Sequence, residues 1–94
     1  MTTRLLVRLT GRVQGVGFRD RILDIAADHE VHGTVRNVRA GEALEIDVEG
    51  EAGDIERFLA DVLAHPPTFA RVASVERTVL EPSGVRGFMR APTG

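Results

Sequence analysis

Apolar residues in this chain repeat with the period of a helix in two segments and with a strand-like pattern in the segments around them. The first helical segment begins at Phe18 and is predicted to end near Glu30, with apolar residues every three or four positions. The second starts just past Gly50 and stops before Pro66; its apolar stripe is Ile55, Phe58, Leu59, Val62 and Leu63. Because each stripe needs an apolar partner, both helices are predicted to pack on a sheet.

Strand-like patterns lie on both sides of each predicted helix. They cover residues 4–10, 33–38, 44–49 and 72–80, and residues 85–90 are predicted to supply a short closing strand. The second and third strands form a hairpin across a short connection that contains Gly41. The order β-α-β-β-α-β predicts an α+β fold, the ferredoxin-like split βαβ sandwich, with an antiparallel sheet and both helices on one face. Residues 1–94 are predicted to form a single domain.

A glycine-rich stretch joins the first predicted strand to the first predicted helix. GRVQGVGFR, residues 11–19, contains three glycines and two arginines. Backbone amides without intrahelical partners and the positive end of the helix dipole make such a turn attractive to an anion. Neither the Walker A pattern nor the Rossmann fingerprint is present. From these residues alone two interpretations stay open: a phosphate bound by the loop and Arg19, or a tight connection with Arg19 in solvent.

Two motifs together resemble those of the acylphosphatase family. GRVQGVGFR matches the family pattern G-x-V-Q-G-V-x-[FY]-R, and GTVRN, residues 33–37, matches G-x-V-[RK]-N. The resemblance runs in order across residues 4–80 and is weakest over residues 81–94. It implies an enzyme that hydrolyses small acyl phosphates to a carboxylate and inorganic phosphate. We expect this enzyme to use no cofactor and no metal.

The resemblance also implies roles for individual residues. Backbone amides of the loop and the Arg19 side chain are expected to hold the phosphoryl group, so the predicted substrate-binding residues are Gln14, Gly15, Val16, Gly17, Phe18 and Arg19. Asn37 is expected to position the attacking water from a strand beside the first strand, which makes Arg19 and Asn37 the predicted catalytic residues. An acyl phosphate releases a carboxylate that needs no general acid, so positioning and charge stabilisation can carry the catalysis.

Composition narrows the classes of function. The chain has no cysteine, which excludes phosphocysteine chemistry and cysteine metal ligands. Its formal net charge of -2 and its lack of Trp and Tyr disfavour a nucleic-acid module of the same topology. No apolar run is long enough to span a membrane, and the N-terminal residues lack the apolar core of a signal peptide. We expect a cytoplasmic monomer that binds an acyl phosphate and inorganic phosphate, and neither nucleic acid nor a membrane.

Two sets of polar residues offer other interpretations. His29, His32 and His65 lack the spacing of a metal site and are expected at the surface or at helix ends. Acidic residues cluster around the third predicted strand, where they are expected to form a solvated sheet surface: Glu42, Glu45, Asp47, Glu49, Glu51 and Asp54.

An alternative function is a module of a larger protein that uses carbamoyl phosphate. PPTFARVASVE, residues 66–76, resembles the acylphosphatase-like domain that begins the hydrogenase maturation carbamoyltransferase. The length of the native open reading frame discriminates between a free-standing enzyme and such a module.

Overall fold

Helices and strands follow one another in the order predicted from the sequence. The structure, a computed structural model, describes residues 1–94. Its elements are β1 Thr2–Arg12, α1 Phe18–Ala26, β2 Val31–Val38, a 3-10 turn Ala40–Glu42, β3 Ala43–Glu51, α2 Ala52–Ala64, β4 Arg71–Leu80 and β5 Phe88–Arg90. Neither helix has the length and apolar character needed to cross a membrane.

The five strands form one sheet in the order β4-β1-β3-β2-β5. The first four strands pair antiparallel, which confirms the split βαβ arrangement. β5 pairs in parallel with β2, so the complete sheet is mixed rather than wholly antiparallel. The expectation that β2 lies beside β1 is wrong, because β3 lies between them. β3 fits this central position since Leu44, Ile46 and Val48 are all fully buried.

Both helices cover one face of the sheet. On β1 this face presents the alternate residues Leu5, Val7 and Leu9, which are buried together with Phe18 of α1 and Phe58 of α2. Removal of such side chains from water contributes about 1.5–3 kcal/mol each. The two helical stripes predicted from the sequence therefore form the core, as their periodicity requires.

The face without helices carries mainly ion pairs. Arg4 donates hydrogen bonds of 2.9 and 2.8 Å to the two carboxylate oxygens of Asp47. Glu45 lies between Arg8 and Arg36, at 3.5 and 3.0 Å. Such partly exposed pairs are each worth about 0–1 kcal/mol, so they contribute little beside the buried face. Asp47 and Glu45 thus lie on a polar face, as expected.

Helix α1 is shorter than predicted, because it ends at Ala26 rather than near Glu30. After Ala26 the amides of Asp28 and His29 bond to carbonyls only three residues back, which closes the helix with a tight turn. His29 then contacts Asp61 of α2, with 2.9 Å between Nε2 and Oδ2. Strand β2 follows at Val31, two residues before the predicted start.

Glu49 departs from the solvated surface expected for the acidic residues of β3, since it is only 3% exposed. Its carboxylate accepts hydrogen bonds from the Ser83 amide at 3.0 Å, the Ser83 hydroxyl at 2.8 Å and the Gly84 amide at 2.7 Å. The backbone donors of Ser83 and Gly84 lower the pKa of Glu49. The Gly87 amide also donates to Nδ1 of His32, at 2.9 Å. Together these bonds hold residues 81–87 on the sheet and lead the chain into β5.

Glu49→Gln is expected to lower the melting temperature at pH 7 by roughly 5 °C, because a side-chain amide cannot accept from every donor that the carboxylate satisfies. The pKa of Glu49 is lower in the folded chain than in the unfolded one, so its contribution is complete above the unfolded pKa of about 4.5. That contribution disappears as the pH falls through the folded pKa. Thermal unfolding followed by circular dichroism at pH 7 and pH 3 should show the difference shrinking in acid.

Glu76→Gln serves as the matched control for Glu49→Gln. Glu76 is exposed on β4 and has no ion pair, so its amide variant should melt with the wild-type chain at both pH values. Equal melting temperatures for Glu49→Gln and the wild-type chain at pH 7 would contradict the role assigned to Glu49.

Candidate active site

The loop between β1 and α1 depends on two glycines in the left-handed region. Gly15 has a φ of 70° and Gly17 a φ of 79°, conformations that other residues adopt only with strain. An added Cβ at either position would meet no atom within 4 Å, so backbone conformation rather than crowding requires glycine. Gly17 is the N-cap of α1 and supplies no side chain to bond the first amides of the helix.

Backbone amides of this loop have no acceptor within the protein. From Gln14 to Asp20 none donates a hydrogen bond to a backbone or side-chain oxygen, and the first amide of the helix that does so is that of Arg21, at 3.1 Å from the Gly17 carbonyl. Backbone donors are almost always paired, so a run of unpaired ones at a helix N-terminus is suited to an anion. The positive end of the α1 dipole favours the same charge.

Three of the predicted substrate-binding residues have side chains that anchor the loop to the rest of the protein. Gln14 donates from Nε2 to the carbonyls of Val38 and Ala43, both at 2.9 Å, and so ties the loop to the β2-β3 turn. Phe18 is 1% exposed and belongs to the core. Val16 packs partly buried against that core. The loop therefore offers an anion its amides, while these three side chains fix the loop in place.

Asn37 lies at the end of β2 on the face covered by the helices. Val35, two residues earlier on the same strand, is buried. Because successive side chains of a strand alternate between the two faces, Asn37 lies on the same face as Val35. Its Oδ1 atom is buried and has no hydrogen-bond partner. Buried polar atoms without partners are uncommon in proteins, and one at the edge of a pocket indicates a ligand or a water as its partner. The backbone of Asn37 is fixed by the Gly94 amide, which donates to its carbonyl at 2.9 Å.

One pocket of about 140 Å³ brings the two predicted catalytic residues together. Its lining consists of Val13, Gly15, Gly17, Phe18, Arg19, Asp20, Asn37 and Arg90. Arg19 is half-buried, and no carboxylate lies within ion-pairing distance of its guanidinium. The other guanidinium of the pocket, that of Arg90, pairs with Asp20. Arg19 is therefore the cation of this pocket that is free to pair with a bound anion.

Sequence reasoning missed Asp20 and Arg90 as residues of the pocket. Arg90 reaches it only because β5 pairs with β2, where it lies opposite Val35. Residues 81–94 match the family pattern least, so no motif predicts that Arg90 reaches the pocket. Asp20 directly follows Arg19 in the first turn of the predicted helix, and this position is the only indication in the sequence that Asp20 lies near the site.

The histidines are used in structural contacts. His29 and His65 both lie beside Asp61, with N to O distances of 2.9 and 3.0 Å, and these partners lower the pKa of the Asp61 carboxyl. His32 accepts the Gly87 amide on Nδ1. No group of three or more histidine and acidic side chains is arranged to hold a metal ion.

Comparison with known proteins decides the family. The family model described as acylphosphatase matches residues 5–89. The chain belongs to the acylphosphatase family. An acylphosphatase of Acidiphilium cryptum is 42% identical over 86 residues, which cover 92% of each chain. The predictions of family and of an enzyme that hydrolyses acyl phosphates are thereby confirmed.

Solved structures share this fold over nearly the whole length of the chain. The acylphosphatase of Bacillus subtilis superposes with a TM-score of 0.87 and 28% identity, covering 97% of this chain and 99% of that one. The structure of full-length HypF in its phosphate- and nucleotide-bound form gives a TM-score of 0.91 and 29% identity. This chain matches that structure over 99% of its own length but spans only 12% of the length of HypF.

Proposed function

We propose that the pocket between the loop after β1 and the end of β2 hydrolyses acyl phosphates, with Arg19 and Asn37 as its catalytic residues. The loop amides from Gln14 to Arg19 and the Arg19 guanidinium bind the phosphoryl group, and the Asn37 side chain positions the attacking water. The observation that carries this proposal is the placement of the buried, unpartnered Oδ1 of Asn37 in the pocket lined by the unpaired amides.

The loop amides, Arg19 and Asn37 are nearly all that this reaction requires of the protein. The water oxygen forms a bond to phosphorus, the bond from phosphorus to the acyl oxygen breaks, and the carboxylate leaves with that electron pair. The amides and Arg19 stabilise the charge on the transferred group. A proton must leave the water, and a phosphate oxygen of the substrate is the acceptor we propose. Asp20 is the one carboxylate of the pocket, and its oxygen is already engaged by Arg90 rather than directed at a water.

The side-chain amide of Asn37 is suited to orienting a water molecule. A side-chain amide both donates and accepts, so its oxygen can accept a hydrogen from the water while leaving a lone pair of that water for phosphorus. Because Oδ1 is already buried, little ordering is required when the water binds. Arg19, by contrast, has donors only and is suited to the phosphoryl oxygens.

Inorganic phosphate is expected to inhibit competitively and to raise the melting temperature, because an anion that binds only the folded loop stabilises the chain by RT ln(1 + [L]/Kd). The free energy gained is about 2.7 kcal/mol at a phosphate concentration one hundred times Kd. Thermal unfolding with increasing phosphate, beside a chloride series of equal ionic strength, measures the effect. An identical melting curve in the two series would show that the loop is only a connection.

The alternative function is that of an acylphosphatase-like module in a larger protein that uses carbamoyl phosphate. It is favoured by the superposition on HypF, which covers 99% of this chain. Comparison of kcat/KM for carbamoyl phosphate with the values for acetyl and benzoyl phosphates tests it. A marked preference for carbamoyl phosphate would support the module, and a broad tolerance of acyl groups would support the free-standing enzyme.

We further propose that the chain acts as a cytoplasmic monomer without a nucleic-acid partner. The helix-free face of the sheet, which RNA-recognition modules use for stacking, carries ion pairs here. Phe18 and Phe58 are buried in the core, and Phe88 packs against Phe58 with a ring-centroid distance of 5.5 Å. Size-exclusion chromatography with light scattering tests the monomer, and titration of single-stranded RNA tests the absence of nucleic-acid binding.

A further inference from the structure

Asp20 and Arg90 form an ion pair at the rim of the pocket. Asp20 is the third residue of α1, and Arg90 is the last residue of β5. Their side chains are 71% and 46% exposed, so both can move without disturbing the core. Neither has a part in binding phosphate or positioning water as described above.

A carboxylate at this point of the helix can compete with a bound anion. In a capping box the side chain at the third helical position reaches back to the amide of the N-cap residue, here Gly17. The positive end of the dipole also favours an acidic side chain in the first turn. Asp20 makes no such bond in this structure, because its carboxylate is held by Arg90. The amides of the loop consequently keep their hydrogens free of protein acceptors.

We propose that Arg90 keeps the phosphate site open by holding the Asp20 carboxylate away from the loop amides and by neutralising its charge. Arg90 is thus a positioning residue that acts through Asp20, and this inference rests on the anion site of the proposed function. Without Arg90, Asp20 occupies the amides in part of the molecules. The apparent affinity for phosphate then falls in proportion to the fraction of sites that remain open.

The test uses Arg90→Met, Asp20→Ala and the double variant, with phosphate binding measured by calorimetry and hydrolysis of benzoyl phosphate measured in parallel. Arg90→Met is expected to raise the Kd for inorganic phosphate about tenfold, with a similar rise in KM and little change in kcat. Addition of Asp20→Ala to Arg90→Met should restore the Kd to within about twofold of the wild-type value, because the competing carboxylate is gone. Asp20→Ala alone should bind phosphate at least as tightly as the wild-type chain.

Arg57→Met is the matched control. Arg57 pairs with Asp54, the third residue of α2, at 2.6 Å, so the same kind of pair is broken at the start of a helix that lies outside the pocket. Its phosphate affinity should equal that of the wild-type chain.

Three results would overturn the role of Arg90: an unchanged Kd in Arg90→Met, a double variant as weak as Arg90→Met, or no phosphate binding by the wild-type chain. A double variant that stays weak would show that Arg90 contacts phosphate itself or only supports β5. A different result would contradict the proposed function. A chain that binds phosphate but does not hydrolyse acyl phosphates would contradict the function, while the calorimetric comparison would still decide the role of Arg90.

Discussion

Arg19→Lys is expected to lower kcat/KM for benzoyl phosphate by at least about a hundredfold although the positive charge is kept. The guanidinium presents two parallel donors to two oxygens of a phosphoryl group, whereas an ammonium is a point charge on a flexible stem. In this pocket the remaining guanidinium belongs to Arg90, which is paired with Asp20 and cannot substitute for Arg19 without releasing it. Steady-state kinetics with benzoyl phosphate measure the loss.

Arg86→Lys provides the comparison for this substitution. Arg86 is exposed, has no carboxylate partner and lies outside the pocket, so its conservative replacement should leave kcat/KM unchanged. Arg19→Ala extends the test, because loss of the side chain should weaken phosphate binding as well as turnover. Near-normal turnover by Arg19→Lys would count against the guanidinium as the ligand of the phosphoryl group.

Local sequence determines the parts of this fold and site that could be predicted. The two helical stripes and the glycine stretch are patterns within a few residues, and the left-handed conformations of Gly15 and Gly17 are ones that glycine adopts readily. The core residues follow directly from those stripes. Helix α1 ends before the predicted residue, at a tight backbone turn whose last residue, His29, contacts Asp61 of the other helix. The apolar pattern of α1 itself contains no sign of that contact.

Long-range pairing determines the parts that could not be predicted. Glu49 is buried by the segment around Ser83, which lies 34 residues later in the chain. The alternation of apolar and acidic residues along β3 does not predict that this segment covers Glu49. Arg90 and Asp20 are 70 residues apart and meet only because β5 lies beside β2. Asn37 lies in the pocket with Arg19, but the argument from neighbouring strands was wrong, since β3 separates β2 from β1. Asn37 reaches the pocket from the helix-covered face at the end of its strand.

Asn37→Ala is expected to depress kcat by at least about a hundredfold while the affinity for inorganic phosphate stays nearly unchanged. The reason is the proposed division of roles, in which the amides and Arg19 hold the phosphoryl group, whereas the buried Oδ1 of Asn37 lies in the same pocket with no protein partner. Removal of a preorganised polar group that acts only on the attacking water lowers the rate of the chemical step without weakening ground-state binding. Kinetics with benzoyl phosphate, run beside calorimetric titration of phosphate, separate the two effects.

Thr34→Ala is the control for Asn37→Ala, because Thr34 lies on the same strand, is similarly half-buried and faces the opposite side of the sheet. It should retain both its rate and its phosphate affinity, and thermal unfolding should show that both variants are folded. Two results would contradict the assignment in different ways. If Asn37→Ala keeps its rate, Asn37 does not position the water. If it loses phosphate affinity as severely as Arg19→Ala, then Asn37 binds the phosphoryl group, and the attacking water must be oriented by the substrate and the loop amides instead.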